Sequence, residues 1–446
     1  MSDAFTKQPD TLVVGLGTTG LSVVRHLAAR GEAFAVTDTR EVPAGRARLA
    51  EIPGAQTAWV GPLANLDMEG WRRVIVSPGV PVALPPLARA AASGAEILGD
   101  IELFARLAQR PVLGITGSNG KSTVTALAGA LLAGQGHRVA VGGNFGTPAL
   151  DLLSENAELY VLELSSFQLE TTHGLKAASA TILNLSADHL DRYPDMERYA
   201  AAKARILDGA RRMVLNREDP VVVRLGAGRD AVTFGLDEPP GPDDFGVLER
   251  GAQPWLMHGT TPLIATDELA LHGRHNWLNA LAALAVCWPW LANPALARPV
   301  LKSFSGLPHR SQSVGRYRDV DYVDDSKGTN LGATLAAIRG VAGPLILIAG
   351  GQGKGQDFAP LADALVGKAR GVLLLGTEAT ALARVLQGVV PVRIVGSMDE
   401  AVTGAAEWAE PGDTVLLSPA CASLDMFANY ADRGERFAAA VRGLGS

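Results

Sequence analysis

"GITGSNGKST", Gly114–Thr123, is the stretch on which the reading of this chain turns. It follows the apolar pair Val112–Leu113 and precedes the helical pattern "VTALAGALLAG". It does not satisfy the phosphate-loop pattern G-x-x-x-x-G-K-[ST]. Counted back from Gly120-Lys121-Ser122, the first glycine belongs at 115, where isoleucine stands, and Gly117 comes two residues later. The donors that such a loop must supply are nevertheless all present. A helix N-terminus offers free N–H groups and the positive end of a dipole. Lys121 adds a point charge for β- and γ-phosphates, and the Ser122 or Thr123 hydroxyl can reach Mg²⁺. We therefore expect Gly117, Ser118, Asn119, Gly120, Lys121, Ser122 and Thr123 to hold a nucleotide's phosphates. A Gly/Ser-rich turn with an exposed lysine is the plain alternative.

A second glycine loop lies upstream. "GLGTTG", Gly15–Gly20, follows the apolar strand Leu12–Val14 and precedes a helix with Leu21, Val24 and Leu27 at helical spacing. Glycines there allow a tight turn and close approach of amides to a diphosphate. Asp38 lies about twenty residues on, where a ribose-binding acid is expected. A turn that needs glycine for packing alone is the alternative. The loop suits a UDP-sugar as well as NAD. A dehydrogenase needs only this loop and a plain ATPase only the other. Together they point to ATP used on a second nucleotide-bearing substrate.

The 446 residues suffice for two to four domains at roughly 100–200 residues each. Apolar content of 47% and charged content of 19% suit a soluble α/β protein. A net charge of −6 disfavours nucleic acid as a partner. The two cysteines, Cys287 and Cys421, have no partners at metal spacing, which fits a reducing cytoplasm. The polar start "MSDAFTKQPD" has no apolar core of a signal peptide. The run Ala280–Ala292 contains Pro289 and is shorter than the ~20 residues of a membrane span, so it reads as a buried helix. Alternating strand and helix patterns predict an α/β fold of three domains. These are a Rossmann-like unit over 1–99, a P-loop-type ATPase sheet over 100–306, and a second Rossmann-like unit over 307–446. Residues 235–262, rich in Pro, Gly and Asp, read as loops or a small hairpin.

Around the central loop, Glu163 ends a strand where a carboxylate would suit Mg²⁺. "NLSADHLDRY" brings Asp188, His189 and Asp191 together, a cluster that taken alone is more often a polar loop. Lys203, in "YAAAKARI", reads by itself as an ordinary surface lysine. Asn276 and Asn279, one helical turn apart, could read an adenine edge or merely cap the helix. In the last third Arg310, Asp325, Lys327, Thr329, Asn330, Lys354, Ser418 and Ser423 fall at strand ends or at the boundary. Such a set suits a dicarboxylate through charge-assisted hydrogen bonds. A solvated rim of turn residues is the alternative.

Taken together, these stretches resemble the Mur ligases of peptidoglycan synthesis. The match rests on "GLGTTG", "DTR" at 38–40, "SPG" at 77–79, "GDIELF" at 99–104, "TGSNGKSTVT" at 116–125 and "GGN" at 142–144. It continues through "LYVLELSSFQLETT" at 159–172, "DHLDRY" at 188–193, "AAKARI", "HNWLNALAAL", "GLPHR", "DDSKGTN", "GGQGKG" and "LLSPACASLDMF". The resemblance implies an ATP-dependent amide ligase that adds D-glutamate to UDP-N-acetylmuramoyl-L-alanine through an acyl phosphate, as a cytoplasmic monomer. It implies that Gly15, Thr18, Thr19, Asp38, Thr39, Arg40, Ser77 and Gly79 meet the uridine diphosphate, with Gly143 and Asn144 at the sugar–peptide part. Ser122 and Glu163 would hold one Mg²⁺. His189 and a carbamylated Lys203 would hold a second, and His189 is also conceivable as a proton acceptor. Asn276, Asn279, Arg310 and Asp325 would contact ATP. Lys327, Thr329, Lys354, Ser423, Leu424 and Tyr430 would line the glutamate pocket. The chain departs from the family pattern at Ser311-Gln312 and at Tyr430, where phenylalanine is common.

Three other functions compete. An NAD-dependent oxidoreductase using Gly15–Gly20 leaves Lys121 and the last domain without a role. A non-catalytic nucleotide-binding regulator would release no ADP. A ligase for another amino acid, L-glutamate included, offers and receives the same charges.

Overall fold

The computed structural model describes residues 9–52, 57–153, 156–271, 273–353 and 355–445. It contains three sheets, in chain order. The first is made of β1 (Thr11–Val14), β2 (Phe34–Asp38), β3 (Thr57–Pro62), β4 (Arg73–Val76) and β5 (Glu96–Leu98), all parallel, in the order β3-β2-β1-β4-β5. The strand order reverses at β1, so its C-terminal end opens on a crevice suited to a ligand. The Gly15–Gly20 loop and the helix Thr18–Ala29 lie there. A Cβ on Gly20 would sit 1.8 Å from the Gly15 carbonyl oxygen, so only glycine closes this turn.

The central sheet has β6 (Val112–Thr116), β7 (Val139–Gly143), β8 (Leu159–Glu163), β9 (Ser179–Ile182), β10 (Met213–Asn216) and β11 (Ala231–Phe234). It continues with β12 (Phe245–Arg250), β13 (Gln253–His258) and β14 (Thr261–Ala265), in the order β14-β13-β12-β11-β10-β9-β6-β8-β7. Residues 245–265 thus form an antiparallel meander that widens the sheet, more than the loops or small hairpin expected. Val247, Leu256 and Ile264 pack on the apolar core beneath the helix Arg274–Cys287, which a loop region could not cover. That helix ends at Cys287 and passes into a short 3₁₀ turn, Trp288–Trp290, where Pro289 cannot continue it.

The third sheet has β15 (Gln312–Tyr317), β16 (Val320–Asp324), β17 (Leu345–Gly350), β18 (Ala369–Leu375), β19 (Val392–Ile394) and β20 (Thr414–Leu417), in the order β15-β16-β20-β17-β18-β19. It is parallel except for the β15–β16 hairpin. Strands β16, β20 and β17 are neighbours, so their C-terminal loops converge.

The first two sheets are joined by a continuous apolar core that includes Val13, Leu27, Phe104, Tyr160 and Leu169. Polar clamps reinforce it. Glu102 accepts the amides of His173 and Gly174, each at 2.7 Å, and Gln168 Nε2 donates to Asp100 at 3.0 Å. The third sheet has its own two cores, one per face, and no buried apolar cluster of the described residues spans it and the central sheet. It meets the centre through hydrogen bonds such as Arg310–Ser122 and through close approach of Gly340 to His275, the kind of junction that permits domain movement.

Candidate active site

The phosphate loop leaves β6 and enters the helix Lys121–Gly134. Asn184, just beyond β9, clamps it from one side. Its Oδ1 accepts the Asn119 amide at 2.8 Å and its Nδ2 donates to the Asn119 carbonyl at 3.0 Å. From the other side Asn279 approaches so closely that a Cβ on Gly120 would lie 2.5 Å from its Oδ1. Gly120 also has φ +83°, the left-handed region that disfavours other residues. Lys121 Nζ curls back to donate to the carbonyls of Gly117 at 2.9 Å and Ser118 at 2.8 Å.

Ser122 is the centre of a charged chain. Its hydroxyl donates to Glu163 Oε2 at 2.5 Å and accepts from Arg310 Nη2 at 2.7 Å. Glu163 Oε1 in turn accepts from Asn144 Nδ2 at 2.6 Å. Among the described residues no group of three or more His, Cys, Asp or Glu side chains converges to make an all-protein metal cage. A hydroxyl and one carboxylate beside a phosphate loop are instead the hard-oxygen pair that Mg²⁺ takes when phosphate and water complete its shell.

Lys203 overturns its isolated reading as a surface lysine. It is 2% exposed. Small residues on the helix Met196–Ala204 let that helix pack closely, which turns the side chain inward. Its Nζ donates to the Gly117 carbonyl at 2.9 Å and stands 4.8 Å from the centre of the Tyr199 ring. Burial, then the nearby charge of Lys121, push its pKa well below the usual lysine range, against the pull of Asp188 and Glu163. His189 has φ +56° and lies edge-on to Phe167 with ring centres 4.8 Å apart. Left-handed non-glycine residues also flank Arg310: His309 at φ +62° and Ser311 at +47°. Such backbone concentrates where the surrounding structure holds a functional side chain in place. Gly306, at the boundary expected between the second and third domains, has φ +94°.

Three cavities run in sequence. The middle one, about 300 Å³, is lined by Ser118, Lys121, Ser122, Glu163, His189 and Lys203 of the central part and by Lys327, Thr329 and Arg310 of the last. On one side it shares Asn119, Gly120, Arg310 and Lys327 with a cavity of about 440 Å³. That second cavity also holds Thr123, Asn276, Asn279 and Asp325. On the other side it shares Asn144 with a cavity of about 500 Å³ over the first glycine loop. There lie Gly15, Thr18, Thr19, Asp38, Thr39, Arg40, Ser77, Gly79 and Gly143.

Asp38 is not simply a free acceptor in that third cavity. Its oxygens take the Leu16 amide at 2.8 Å and the Arg40 guanidinium at 2.8 and 2.9 Å. Burial raises its pKa, but these hydrogen bonds outweigh it and hold the carboxyl at about 2. Asp325 goes the other way. Burial pushes it up to about 7, although the Ser418 hydroxyl at 2.7 Å and the charge of Arg310 pull it down.

Asn276 and Asn279 bond to each other at 2.9 Å and neither caps the helix, whose N-cap is Gly273. Tyr430 places its ring 3.9 Å from Lys327 Nζ. Ser423 is buried and Leu424 exposed on the loop after β20, and neither lines the three cavities. Lys354 lies outside the described residues. Sequence reasoning missed Asn184, Tyr199 and the part played by Asn330. A lone polar or aromatic residue in a loop or on a helix carries no signal of a partner more than sixty positions away.

Comparison with known proteins bears on these cavities. Residues 9–99 match the model for the Mur ligase MurD-like N-terminal domain. Residues 115–287 match the Mur ligase middle domain and 309–421 the Mur ligase glutamate ligase domain. The UDP-N-acetylmuramoylalanine--D-glutamate ligase of Pseudomonas aeruginosa is 50% identical over 450 residues, covering 97% of this chain and 98% of that protein. The protein of the same name from Marinobacter nauticus is 46% identical, with the same coverage. Among solved structures, a pseudomurein peptide ligase type C from Methanothermus fervidus superposes with a TM-score of 0.64 at 19% identity, covering 97% of this chain and 99% of that one. The UDP-N-acetylmuramate-alanine ligase of Thermotoga maritima superposes at 0.63, also at 19% identity, with the same coverage. These structures share the fold. The family models meet the three sheets in the same order, and near-half identity extends over nearly the whole chain: the chain belongs to the Mur ligase family.

Proposed function

We propose that this chain joins D-glutamate to UDP-N-acetylmuramoyl-L-alanine with ATP, in the cytoplasm, as a step of peptidoglycan synthesis. In this reading residues 1–99 hold the UDP end of one substrate, 100–306 hold ATP, and 307–446 bring the amino acid. One polypeptide builds all three cavities, which supports action as a monomer. The observation that carries the proposal is their order: the crevice over the first glycine loop shares the lining residue Asn144 with the phosphate-loop cavity, which Arg310 and Lys327 of the last domain also line.

The chemistry follows from the poor electrophilicity of a carboxylate. An alanine carboxylate oxygen attacks the γ-phosphorus of ATP, ADP leaves, and an acyl phosphate forms. Lys121 and Arg310 offset the charge on the transferring group. The neutral amine of glutamate then attacks the carbonyl carbon, and phosphate leaves from the tetrahedral intermediate as the amide forms. Lys327 and Thr329 orient the amino acid, with the Tyr430 ring against Lys327; Ser423, Leu424 and Lys354 would join them only if closure brings their loops to the pocket. Closure of the last domain supplies proximity.

Ser122 and Glu163 would hold one Mg²⁺, which when bound neutralises charge on phosphoryl oxygens. His189 and Lys203 would hold a second. CO₂ adds only to a neutral amine, and the buried setting of Lys203 favours that form; as a carbamate it would present oxygen where an ammonium repels a cation. A His189 engaged in this way takes no proton, so we assign it to the metal.

Phosphate release with UDP-N-acetylmuramoyl-L-alanine and a panel of amino acids is the test. D-glutamate should stimulate release most strongly. Preference for L-glutamate would point to the alternative ligase, and NADH absorbance on turnover would restore the oxidoreductase.

A further inference from the structure

Hydrogen bonds tie the third domain to the central one, and Asn330 carries two of them. Asn330 is 3% exposed. Its Oδ1 accepts the Ala333 amide at 2.9 Å and so caps the helix Leu331–Gly340. That bond decides which way the carboxamide points. Its Nδ2 therefore faces the central domain, where it donates to Asn119 Oδ1 at 3.0 Å and to Asp188 Oδ2 at 3.1 Å. Asn119 Nδ2 passes the chain on to the Ser186 hydroxyl at 3.2 Å. The helix start itself comes close, since a Cβ on Gly332 would lie 2.7 Å from Ser186 Oγ. One side chain thus ties the third sheet to the phosphate loop and to the residue before His189.

We infer that Asn330 is a positioning residue, whose carboxamide seats the third domain on the phosphate loop and so sets Lys327 and Thr329 against Ser122 and Glu163. Its effect on turnover rests on the ligase reading; the seating does not. Asparagine is needed because the cap requires an acceptor and the strap a donor. Aspartate keeps the cap but turns a carboxylate toward Asp188. Serine keeps the cap but does not reach Asn119. Both variants should therefore retain the fold.

The test uses Asn330→Asp, Asn330→Ser, Asp188→Asn and the exchange N330D/D188N in the full chain. Closure is read by X-ray scattering and by fluorescence transfer between labels on the central and third domains, with a non-hydrolysable ATP analogue present. Asn330→Asp should shift the population toward open forms and lower kcat about ten-fold or more. In the exchange the carboxylate and the carboxamide trade places, so the former can accept from the latter, and a flipped Asn119 can donate to the carboxylate as well. The exchange should then regain closure and come within about three-fold of Asp188→Asn alone. Asn330→Ser should open the molecule similarly and gain nothing from Asp188→Asn. Variants as closed as the wild type, or an exchange no better than Asn330→Asp, overturn the inference. Because scattering and fluorescence need no turnover, a failure to ligate D-glutamate would sink the ligase reading and leave the seating measurable.

Discussion

Lys203→Met should make the ligand-free protein more stable while abolishing its activity. In the wild type an amine of 2% exposure has no carboxylate within ion-pair distance among the described residues; its partners are the Gly117 carbonyl, the Thr116 hydroxyl at a longer 3.4 Å and the Tyr199 ring. Desolvating one charge costs several kcal/mol after relaxation. Against this stand a hydrogen bond to a charged group, about 1.5–3 kcal/mol, and a cation–π contact, about 1–2 kcal/mol. Methionine fills the same channel and needs none of them. A net gain of about 2 kcal/mol follows, or roughly 4–8 °C in Tm for a unit of this size. The gain depends on pH with a definite sign. A lysine whose folded pKa lies below its unfolded value of about 10.4 binds fewer protons folded than unfolded between the two. Wild-type stability therefore rises through that window, and the advantage of the variant is full below it and vanishes toward about pH 10. Calorimetric melts in CO₂-depleted buffer from about pH 6 to 10 measure this. A variant that melts below the wild type near neutral pH, or a gap that does not shrink with rising pH, would refute the reasoning. Bicarbonate should raise the wild-type Tm alone, and short carboxylates should partly restore turnover to Lys203→Ala.

Gly20→Val places a Cβ against the Gly15 carbonyl oxygen; KM for the UDP-substrate should rise more than about ten-fold, while calorimetry finds ATP affinity changed by less than about two-fold. Glu163→Gln leaves one acceptor oxygen for the two donors Ser122 and Asn144 and removes the charge; kcat should fall about 10²-fold or more, with a higher Mg²⁺ requirement in a magnesium titration. Asp325, pushed up to about 7, takes up a proton on folding between about pH 4 and 7, so wild-type stability falls as pH rises through that range. Asp325→Asn should melt higher than wild type at about pH 8 and equally near about pH 4, as read by thermal melts.

Local chemistry was legible where neighbours in sequence act together. The strand–glycine–helix units at Gly15–Gly20 and Gly117–Lys121 announce their purpose because backbone amides and a helix end are supplied by consecutive residues. Strand Glu163 beside a phosphate loop could be read the same way. The meander at 245–265 could not. Its Pro, Gly and Asp content resembles a loop, and its strands become worthwhile only against the apolar helix Arg274–Cys287. Lys203 shows the same limit at the site, since alanines on its helix look like propensity alone until the phosphate loop is packed against them.

What the sequence determined by itself is the α/β class, the two phosphate-binding turns and the family to which the chain belongs, all properties of short contiguous segments. The tertiary structure alone decided that a lysine is buried and easily deprotonated, that Asp38 serves Arg40 and the Leu16 amide, and that Asn330 bonds across to Asn119 and Asp188. The reason is physical: burial and hydrogen bonding depend on which residues meet, and most of these partners stand tens to hundreds of positions apart, brought together only when the sheets are stacked.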